Sequence, residues 1–259
     1  MSKPSCPHCG SVVHRGDRFC GHCGGVLSKG PAGPVETMFF EALPSVKRAR
    51  LVLVRGEGRE GATFVLSGDE HVVGRDQGAI VFPEDPTVGE PHASFSYRDE
   101  RLYLRDMGSS NGTYVRIRQE MPLRDGDTFI CGEQVLSFAL YRPVATATSE
   151  PGTRYCGTPL RPWRYQVRQH LAGGREGVVH PTRKKMLQIG REACDLNFPY
   201  DRFISGRHST IEERDDGWYL VDQNSRNGTF YRIPQGAEVG LREGDYVFVG
   251  RELLRVEVA

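Results

Sequence analysis

Short runs of β-branched and aromatic residues, separated by turn residues roughly every ten positions, dominate the pattern of hydrophobic and polar positions. In one stretch, apolar Ala93, Phe95 and Tyr97 alternate with serines, and in the second half a turn at residues 215–217 leads into the run 218–221. Alternation with a period of two predicts strands that bury one face, and no segment has the period of a long helix. The chain is therefore predicted to be all-β, with antiparallel two-sheet sandwiches.

Polar residues at the predicted turns occur twice in the same order. Gly74-Arg75, His92 and Ser109–Thr113 return as Gly190-Arg191, His208 and Ser225–Thr229. The interval from arginine to histidine is 17 residues in both copies, and all these positions share one offset of 116 residues. This offset is far longer than a solenoid or propeller repeat, so we interpret it as a duplicated domain. Polar residues in loops are where binding groups usually lie.

The length of 259 residues accommodates two ordinary domains and one small module. We place the small module at residues 1–27, a first sandwich at 48–143 and a second at 161–259. The segments 28–47 and 144–160 lack periodic apolar positions and carry prolines, so we predict that they are extended linkers.

Charge and hydropathy exclude several classes of protein. The chain has 34 Lys and Arg against 33 Asp and Glu, a net charge of +1, which does not favour bulk binding to nucleic acid or to an anionic membrane. No window approaches the roughly 18 apolar residues of a membrane span, and no apolar leader follows the start. We expect a soluble, cytoplasmic protein with no membrane partner.

Four cysteines near the start form two CxxCG turns. They are Cys6, Cys9, Cys20 and Cys23. Four thiolates on two tight turns suit a tetrahedral Zn²⁺ ion, and each following glycine lets the backbone turn back toward the sulfurs. Two disulfides or a redox CxxC are the alternatives, but a module this short has few apolar residues to fold around, whereas a metal would supply the folding energy. The pattern predicts a zinc ribbon.

The repeated motif, Gly-Arg followed by a histidine and then Ser-x-Asn-Gly-Thr, resembles the forkhead-associated (FHA) domain. The resemblance covers nearly all of residues 48–143 and 161–259, and it implies a β-sandwich whose loops bind phosphothreonine peptides. In that family the arginine, a serine before the histidine, the asparagine and the residue before it contact the ligand. Carried over to the second copy, the implied contacts are Arg191, Ser205, Arg226 and Asn227, and the implied loop supports are Gly190, His208 and Gly228.

The chemistry of these side chains agrees with that ligand. A phosphothreonine carries about −1.5 to −2 charges and three acceptor oxygens, which a guanidinium fork and neutral donors match. Arg191 supplies the fork, Ser205 a hydroxyl and Arg226 a second positive charge. Asn227 can pair with the backbone of the ligand through its amide. We interpret His208 as a neutral residue bonded to nearby backbone rather than as an acid or base.

The first copy departs from the motif at one place. Gly89 stands where the second copy has Ser205, and Glu90 follows it, so a phosphate would lose a hydroxyl donor and meet a like charge. Glu84 and Asp85 are expected to add to the repulsion. Arg75, Ser110 and Asn111 remain and could form a weak site. We expect this copy to be degenerate or independent of phosphate.

A threonine in the first linker is a candidate phospho-acceptor. Thr37 follows Glu36 and precedes an apolar run, and this arrangement resembles the N-terminal acceptor site of short bacterial FHA proteins that bind their own phosphothreonine. The alternative is that residues 38–40 only pin the linker onto a sandwich.

We expect a non-catalytic signalling adaptor that binds phosphothreonine-containing proteins downstream of a Ser/Thr protein kinase. No nucleophile–base pair, open metal position or P-loop suggests an enzyme. The alternative is a nucleic-acid-binding or transcription-associated zinc-ribbon protein whose FHA-like domains contact proteins without phosphate. Arg15 and Arg18 are its best support, but so few basic residues argue against nucleic acid as a partner.

Overall fold

The computed structural model describes residues 4–13, 20, 22, 23, 25, 27, 49–56, 61–143, 148, 150, 152–159 and 161–258. The chain divides into two compact units, residues 1–46 and 47–259. The candidate acceptor Thr37, the predicted linker 28–47 and the basic residues Arg15 and Arg18 lie outside the described residues.

Short strands make up the regular structure of the larger unit. In the first half they are β1 (Ala49–Arg55), β2 (Thr63–Val65), β3 (Glu70–Gly74), β4 (Ile80–Val81), β5 (Ala93–Arg98), β6 (Arg101–Asp106), β7 (Thr113–Arg116), β8 (Met121–Leu123), β9 (Thr128–Cys131) and β10 (Gln134–Leu140). In the second half they are β11 (Tyr165–Leu171), β12 (Arg175–Thr182), β13 (Met186–Gly190), β14 (Leu196–Asn197), β15 (Ser209–Arg214), β16 (Gly217–Asp222), β17 (Thr229–Arg232), β18 (Glu238–Leu241), β19 (Tyr246–Val249) and β20 (Glu252–Val258). The described residues contain no helix, and the prediction of an all-β fold is confirmed.

The strands form three sheets. One has ten strands in the order β12-β11-β10-β9-β17-β7-β19-β20-β1-β2, and the two others have five each, β14-β13-β15-β16-β8 and β18-β6-β5-β3-β4. All pairs are antiparallel except β3 with β4 and β13 with β14. Each five-stranded sheet packs on one end of the ten-stranded sheet, and each of these two sandwiches has its own core. A third, smaller cluster of buried residues lies on the middle strands of the large sheet: Tyr114, Ile130, Phe230 and Phe248.

The two halves of the chain exchange their last three strands. β18 pairs with β6, β19 with β7 and β20 with β1, so strands from the second half complete the first sandwich. Reciprocally, β8 pairs with β16, β9 with β17 and β10 with β11. The prediction that residues 48–143 and 161–259 each form a self-contained sandwich is therefore wrong.

The strand exchange takes place on either side of the paired strands β7 and β17. These strands run antiparallel in the middle of the large sheet, with Val115 opposite Tyr231. Each chain half leaves this central pair toward the other sandwich, and its next three strands then add to that sandwich. In the sequence the exchanged strands look equivalent: β9 reads TFIC and β19 reads YVFV, so either could serve in either sandwich.

Both cores confirm this assignment of strands. The core of the first sandwich contains residues from β1, β3, β5 and β6 together with six buried residues of the second half: Ile233, Leu241, Val247, Val249, Leu254 and Val256. The core of the second sandwich contains Leu123, Phe129, Cys131, Leu136 and Phe138 from the first half. Ion pairs also cross between the halves, including Arg98 with Glu238 at 2.6 Å and Arg50 with Glu257 at 2.7 Å.

Candidate functional site

Three loops meet at one end of the second sandwich. The first follows β13 and begins at Arg191, the second runs from Asp201 to His208 before β15, and the third joins β16 to β17. They come together because β13, β15 and β16 are neighbours in one antiparallel sheet. The Arg191 N–H donates to the carbonyl oxygen of Ser205 at 2.9 Å, which joins the first loop to the second.

The third loop is bonded to the second through the proposed ligand residues themselves. The Arg226 N–H donates to Oγ of Ser205 at 3.1 Å. Asn227 Nδ2 donates to the carbonyl oxygen of Phe203 at 2.7 Å. The structure thus brings together all four residues that the sequence proposed as ligand contacts, Arg191, Ser205, Arg226 and Asn227.

His208 lies beneath these loops and is fully buried. Its Nδ1 accepts the N–H of Ser205 at 3.0 Å, and its Nε2 lies 3.1 Å from the carbonyl oxygen of Gly228. Both bonds are satisfied when the ring is neutral with its proton on Nε2. Burial lowers the pKa of His208, which favours that neutral form. The ring therefore couples the second loop to the third.

The two glycines proposed as loop supports occupy positions where a side chain would collide. A Cβ on Gly190 would lie 2.1 Å from the carbonyl oxygen of Gly206. Gly228 has a φ of 82°, and its Cβ would lie 2.1 Å from Nε of Arg116. Close backbone approach and a left-handed conformation explain why glycine is present.

Sequence reasoning missed two aspartates that hold the loops. Asp222 Oδ1 accepts the hydroxyl groups of Ser225 and Thr229, each at 2.6 Å. Asp201 Oδ1 accepts the N–H of Phe203, while its Oδ2 accepts from Glu133 N and Gln134 Nε2, all at 2.8 Å. The second site is therefore anchored on a turn from the first half. Both aspartates recur at the repeat offset, as Asp106 and Asp85, which was a signal available in the sequence.

The charge at the loop end is positive. The Arg191 side chain is 44% exposed, and its carboxylate neighbour Glu192 is 4.0 Å away. Arg226 is exposed and forms no ion pair with any described residue. Arg202 and Arg207, on the second loop, are also exposed. An anion approaching this end meets several guanidinium groups and few compensating carboxylates.

The first copy has the same loop frame. The Arg75 N–H donates to the carbonyl oxygen of Gly89 at 3.2 Å, and the Gly89 N–H donates to His92 Nδ1 at 2.8 Å. Asn111 Nδ2 donates to the carbonyl oxygen of Thr87 at 2.7 Å. Gly89 has no hydroxyl to offer, so the bond that Ser205 makes with the third loop has no equivalent here.

Glu90 fills part of the first site with its own carboxylate. Its Oε2 accepts the Asp76 N–H at 2.5 Å, and both of its oxygens lie 3.2 Å from the Gln77 nitrogen. Adjacent backbone N–H groups form an anion-binding concavity, which here is already occupied. The expectation for Asp85 needs correction: it is 0% exposed and accepts the Arg251 N–H at 2.7 Å, so it anchors a turn instead of repelling ligand.

The four cysteines of the small unit cluster with their Sγ atoms within 4.8 Å of one another. Cys6 and Cys23 are separated by 3.7 Å between sulfurs, and so are Cys9 and Cys20. A tetrahedron with Zn–S bonds of about 2.3 Å has edges of about 3.8 Å, which these two distances match. The backbone N–H of His8 lies 3.4 Å from Cys6 Sγ, in the position of an amide facing a thiolate. The cluster is a metal-binding site.

Comparison with known proteins agrees with this anatomy. The sequence pattern of the FHA domain matches residues 71–132 and 187–250, and that of a zinc-ribbon domain matches residues 2–27. The oxoglutarate dehydrogenase inhibitor of Corynebacterium diphtheriae is 33% identical over 41% of this chain and 76% of its own length. The glycogen accumulation regulator GarA of Mycolicibacterium smegmatis is 39% identical over 29% of this chain and 46% of its length.

A solved structure described as "Structural and functional analysis of phosphothreonine-dependent FHA domain interactions" is 28% identical and covers 34% of this chain and 88% of its own. Its TM-score is 0.21. The chain belongs to the FHA-domain proteins. It contains two FHA repeats, and a zinc-ribbon domain precedes them in the sequence. None of the described residues form an apolar helix of membrane-spanning length.

Proposed function

We propose that the second loop cluster binds phosphothreonine-containing segments of other proteins, and that the chain is a non-catalytic adaptor acting downstream of a Ser/Thr protein kinase. The convergence of Arg191, Ser205, Arg226 and Asn227 on one exposed face carries this proposal. The similarity to relatives named as an enzyme inhibitor and a regulator supports a role in control rather than in catalysis.

Each residue has a distinct role in this proposal. Arg191 and Arg226 neutralise the phosphate, and the Arg191 fork donates to two of its oxygens. The Ser205 hydroxyl, which already accepts from Arg226 N, is free to donate its proton to a third oxygen. The side chain of Asn227 is held by the bond from Nδ2 to the carbonyl oxygen of Phe203. Its side-chain oxygen Oδ1 is left to accept a hydrogen bond from the ligand backbone.

The first repeat, in this proposal, contacts proteins without phosphate. The carboxylate of Glu90 occupies the backbone amides of Asp76 and Gln77, next to Arg75. A phosphate would have to displace this carboxylate or lie beside it. It would also lack the hydroxyl that Ser205 offers in the second repeat, and losing one charge-assisted hydrogen bond costs about 1.5–3 kcal/mol.

For the small unit we propose a structural Zn²⁺ ion held by Cys6, Cys9, Cys20 and Cys23. Such an ion has no open coordination position, so it would hold the two turns together and supply folding energy without activating water. Thr37 remains a predicted phospho-acceptor whose test is phosphate mapping after kinase treatment.

The proposal is tested by titrating the full-length chain with a phosphothreonine peptide library and its dephosphorylated form. Arg191→Ala should weaken binding about 10- to 100-fold, since it removes charge-assisted bonds to phosphate. Arg75→Ala is the matched control at the first site and should change affinity less than about twofold. Binding that survives dephosphorylation, or that depends on Arg75 as much as on Arg191, would rule the proposal out.

A further inference from the structure

A cleft of 390 Å³ opens beside the second loop cluster, on the outer face of the ten-stranded sheet. On β19, Val247 and Val249 point into the core of the first sandwich, so Tyr246 and Phe248, which alternate with them, project from the opposite face. The cleft reaches the proposed phosphate site directly, because Arg226, Asn227 and Gly228 line one end of it. The other end is formed by residues of the first sandwich.

Arginines stacked on aromatic rings form the walls. The Arg55 guanidinium lies 4.6 Å from the ring centre of Phe203 and 5.1 Å from that of Phe248. The Arg116 guanidinium lies 5.5 Å from the ring centre of Tyr246. Stacking of this kind holds a guanidinium plane while leaving its N–H edge free to donate to a carboxylate.

The cleft is positively charged and uncompensated. Its lining contains Arg55, Arg116 and Arg226 and no acidic residue. Arg55 and Arg116 are half-buried, and neither forms an ion pair with any residue in the described ranges. Partly buried charges are screened less by salt than exposed ones. The guanidinium groups of Arg55 and Arg116 therefore attract an anion in the cleft more strongly than fully exposed arginines would.

The corresponding surface beside the first site lacks this chemistry. At the repeat offset, Thr87 and Ser110 correspond to Phe203 and Arg226. When strand β9 is aligned with β19, Thr128 and Ile130 correspond to Tyr246 and Phe248. Arg232 corresponds to Arg116, and its guanidinium lies 3.4 Å from the carbonyl oxygens of Ser109 and Ser110. The basic and aromatic residues are thus concentrated at the one site that also has the serine hydroxyl.

We infer that this cleft binds an acidic side chain of the same peptide whose phosphothreonine occupies the second loop cluster. The partner is then a segment with Asp or Glu within a few residues of the phosphothreonine. Selection of that acid depends on Arg55 and Arg116, which the first half of the chain supplies across the strand exchange. This inference rests on the proposed function and assigns its sequence preference.

The test uses the full-length chain and phosphothreonine peptides that are otherwise alanine, each with one aspartate at a different flanking position. For the wild type, aspartate at one or more positions should tighten binding about tenfold relative to the all-alanine phosphopeptide. Arg55→Gln should reduce that ratio to less than about twofold, and Arg116→Gln should lower it as well. Arg232→Gln, the matched variant beside the first site, should keep the wild-type ratio.

The ratio of two affinities measured on the same sample does not depend on the folded fraction, so a destabilised variant still gives a reading. A wild type without any aspartate preference would overturn the inference, as would a preference that survives both Arg55→Gln and Arg116→Gln. In either case phosphate-dependent binding of the all-alanine peptide would leave the proposed function standing. If the wild type binds no phosphopeptide, the proposed function and this inference fail together.

Discussion

The strand exchange predicts which piece of the chain folds around the proposed phosphate site. All fourteen buried residues of the second core lie between Leu123 and Leu220, and the site loops end at Thr229. A fragment of residues 117–232 therefore contains the whole second sandwich, although it spans the predicted linker. We expect this fragment to fold as a monomer and to bind the all-alanine phosphothreonine peptide.

The matched fragment is 161–259, the second sandwich as the repeat alone would define it. It lacks four large buried side chains of the second core, those of Leu123, Phe129, Leu136 and Phe138. Burying one such side chain contributes about 1.5–3 kcal/mol, so their loss removes about 6–12 kcal/mol. That is comparable with the whole stability of a typical domain, about 5–15 kcal/mol. This fragment can fold only if β18–β20 fold back to replace the missing strands.

The full-length chain offers a direct test through disulfide cross-linking. Arg50 lies directly opposite Glu257 in the sheet, and opposed residues have Cα atoms about 4.5–5.5 Å apart, within disulfide range. Without exchange, Arg50 would lie opposite Ala139 instead. In the exchanged sheet β1 and β10 are six strands apart, about 29 Å at roughly 4.8 Å per strand, far beyond disulfide reach.

Mild oxidation of Arg50→Cys/Glu257→Cys should give the cross-linked peptide in mass spectrometry, and Arg50→Cys/Ala139→Cys should not. Thermal unfolding and phosphopeptide binding of the two fragments provide the second measurement. A cross-link between positions 50 and 139, together with an unfolded 117–232 fragment, would refute the exchange.

Three further predictions concern the first site, the buried histidine and the metal. In an Arg191→Ala background, Gly89→Ser with Glu90→Gly should give the first site a serine hydroxyl and remove the Glu90 carboxylate from it. Phosphopeptide affinity, measured by fluorescence polarisation, should then rise at least about tenfold, and no gain would show that Glu90 does not block the first site. Burial lowers the pKa of His208 below its ordinary 6.5, so as the pH falls the unfolded chain takes up this proton first. The contribution of His208 to the free energy of unfolding should therefore be constant above pH 6.5 and fall below it, and a urea-denaturation series in which His208→Gln keeps the same pH slope would contradict this. A chelator should remove one zinc ion per chain, as measured by native mass spectrometry, and should leave the thermal transition of the sandwiches unchanged. A chain that never contains zinc would argue for another metal at the four cysteines.

Much of the candidate site was predictable because the repeated motif resembles that of the FHA domain. Arg191, Ser205 and Asn227 were carried over from that resemblance, and the structure brings them together. Gly89 in place of Ser205 indicated that the first copy differs. What the sequence did not indicate was where the Glu90 carboxylate lies, since its bonds to the backbone amides of Asp76 and Gln77 depend on how two loops meet.

The amino-acid sequence by itself determined the local structure: strands, because apolar positions alternate; loops, because glycine and polar residues interrupt them; and a four-cysteine cluster, because the two CxxC turns match one ion. Only the tertiary structure decided which strands share a sheet. Strands β8–β10 and β18–β20 carry nearly interchangeable patterns, and alternation specifies a buried face without specifying the partner. The sequence alone leaves the exchanged and unexchanged arrangements equal, and the structure has the exchanged one, with β7 paired to β17. This arrangement places Arg55 and Arg116 beside the proposed phosphate site of the other repeat.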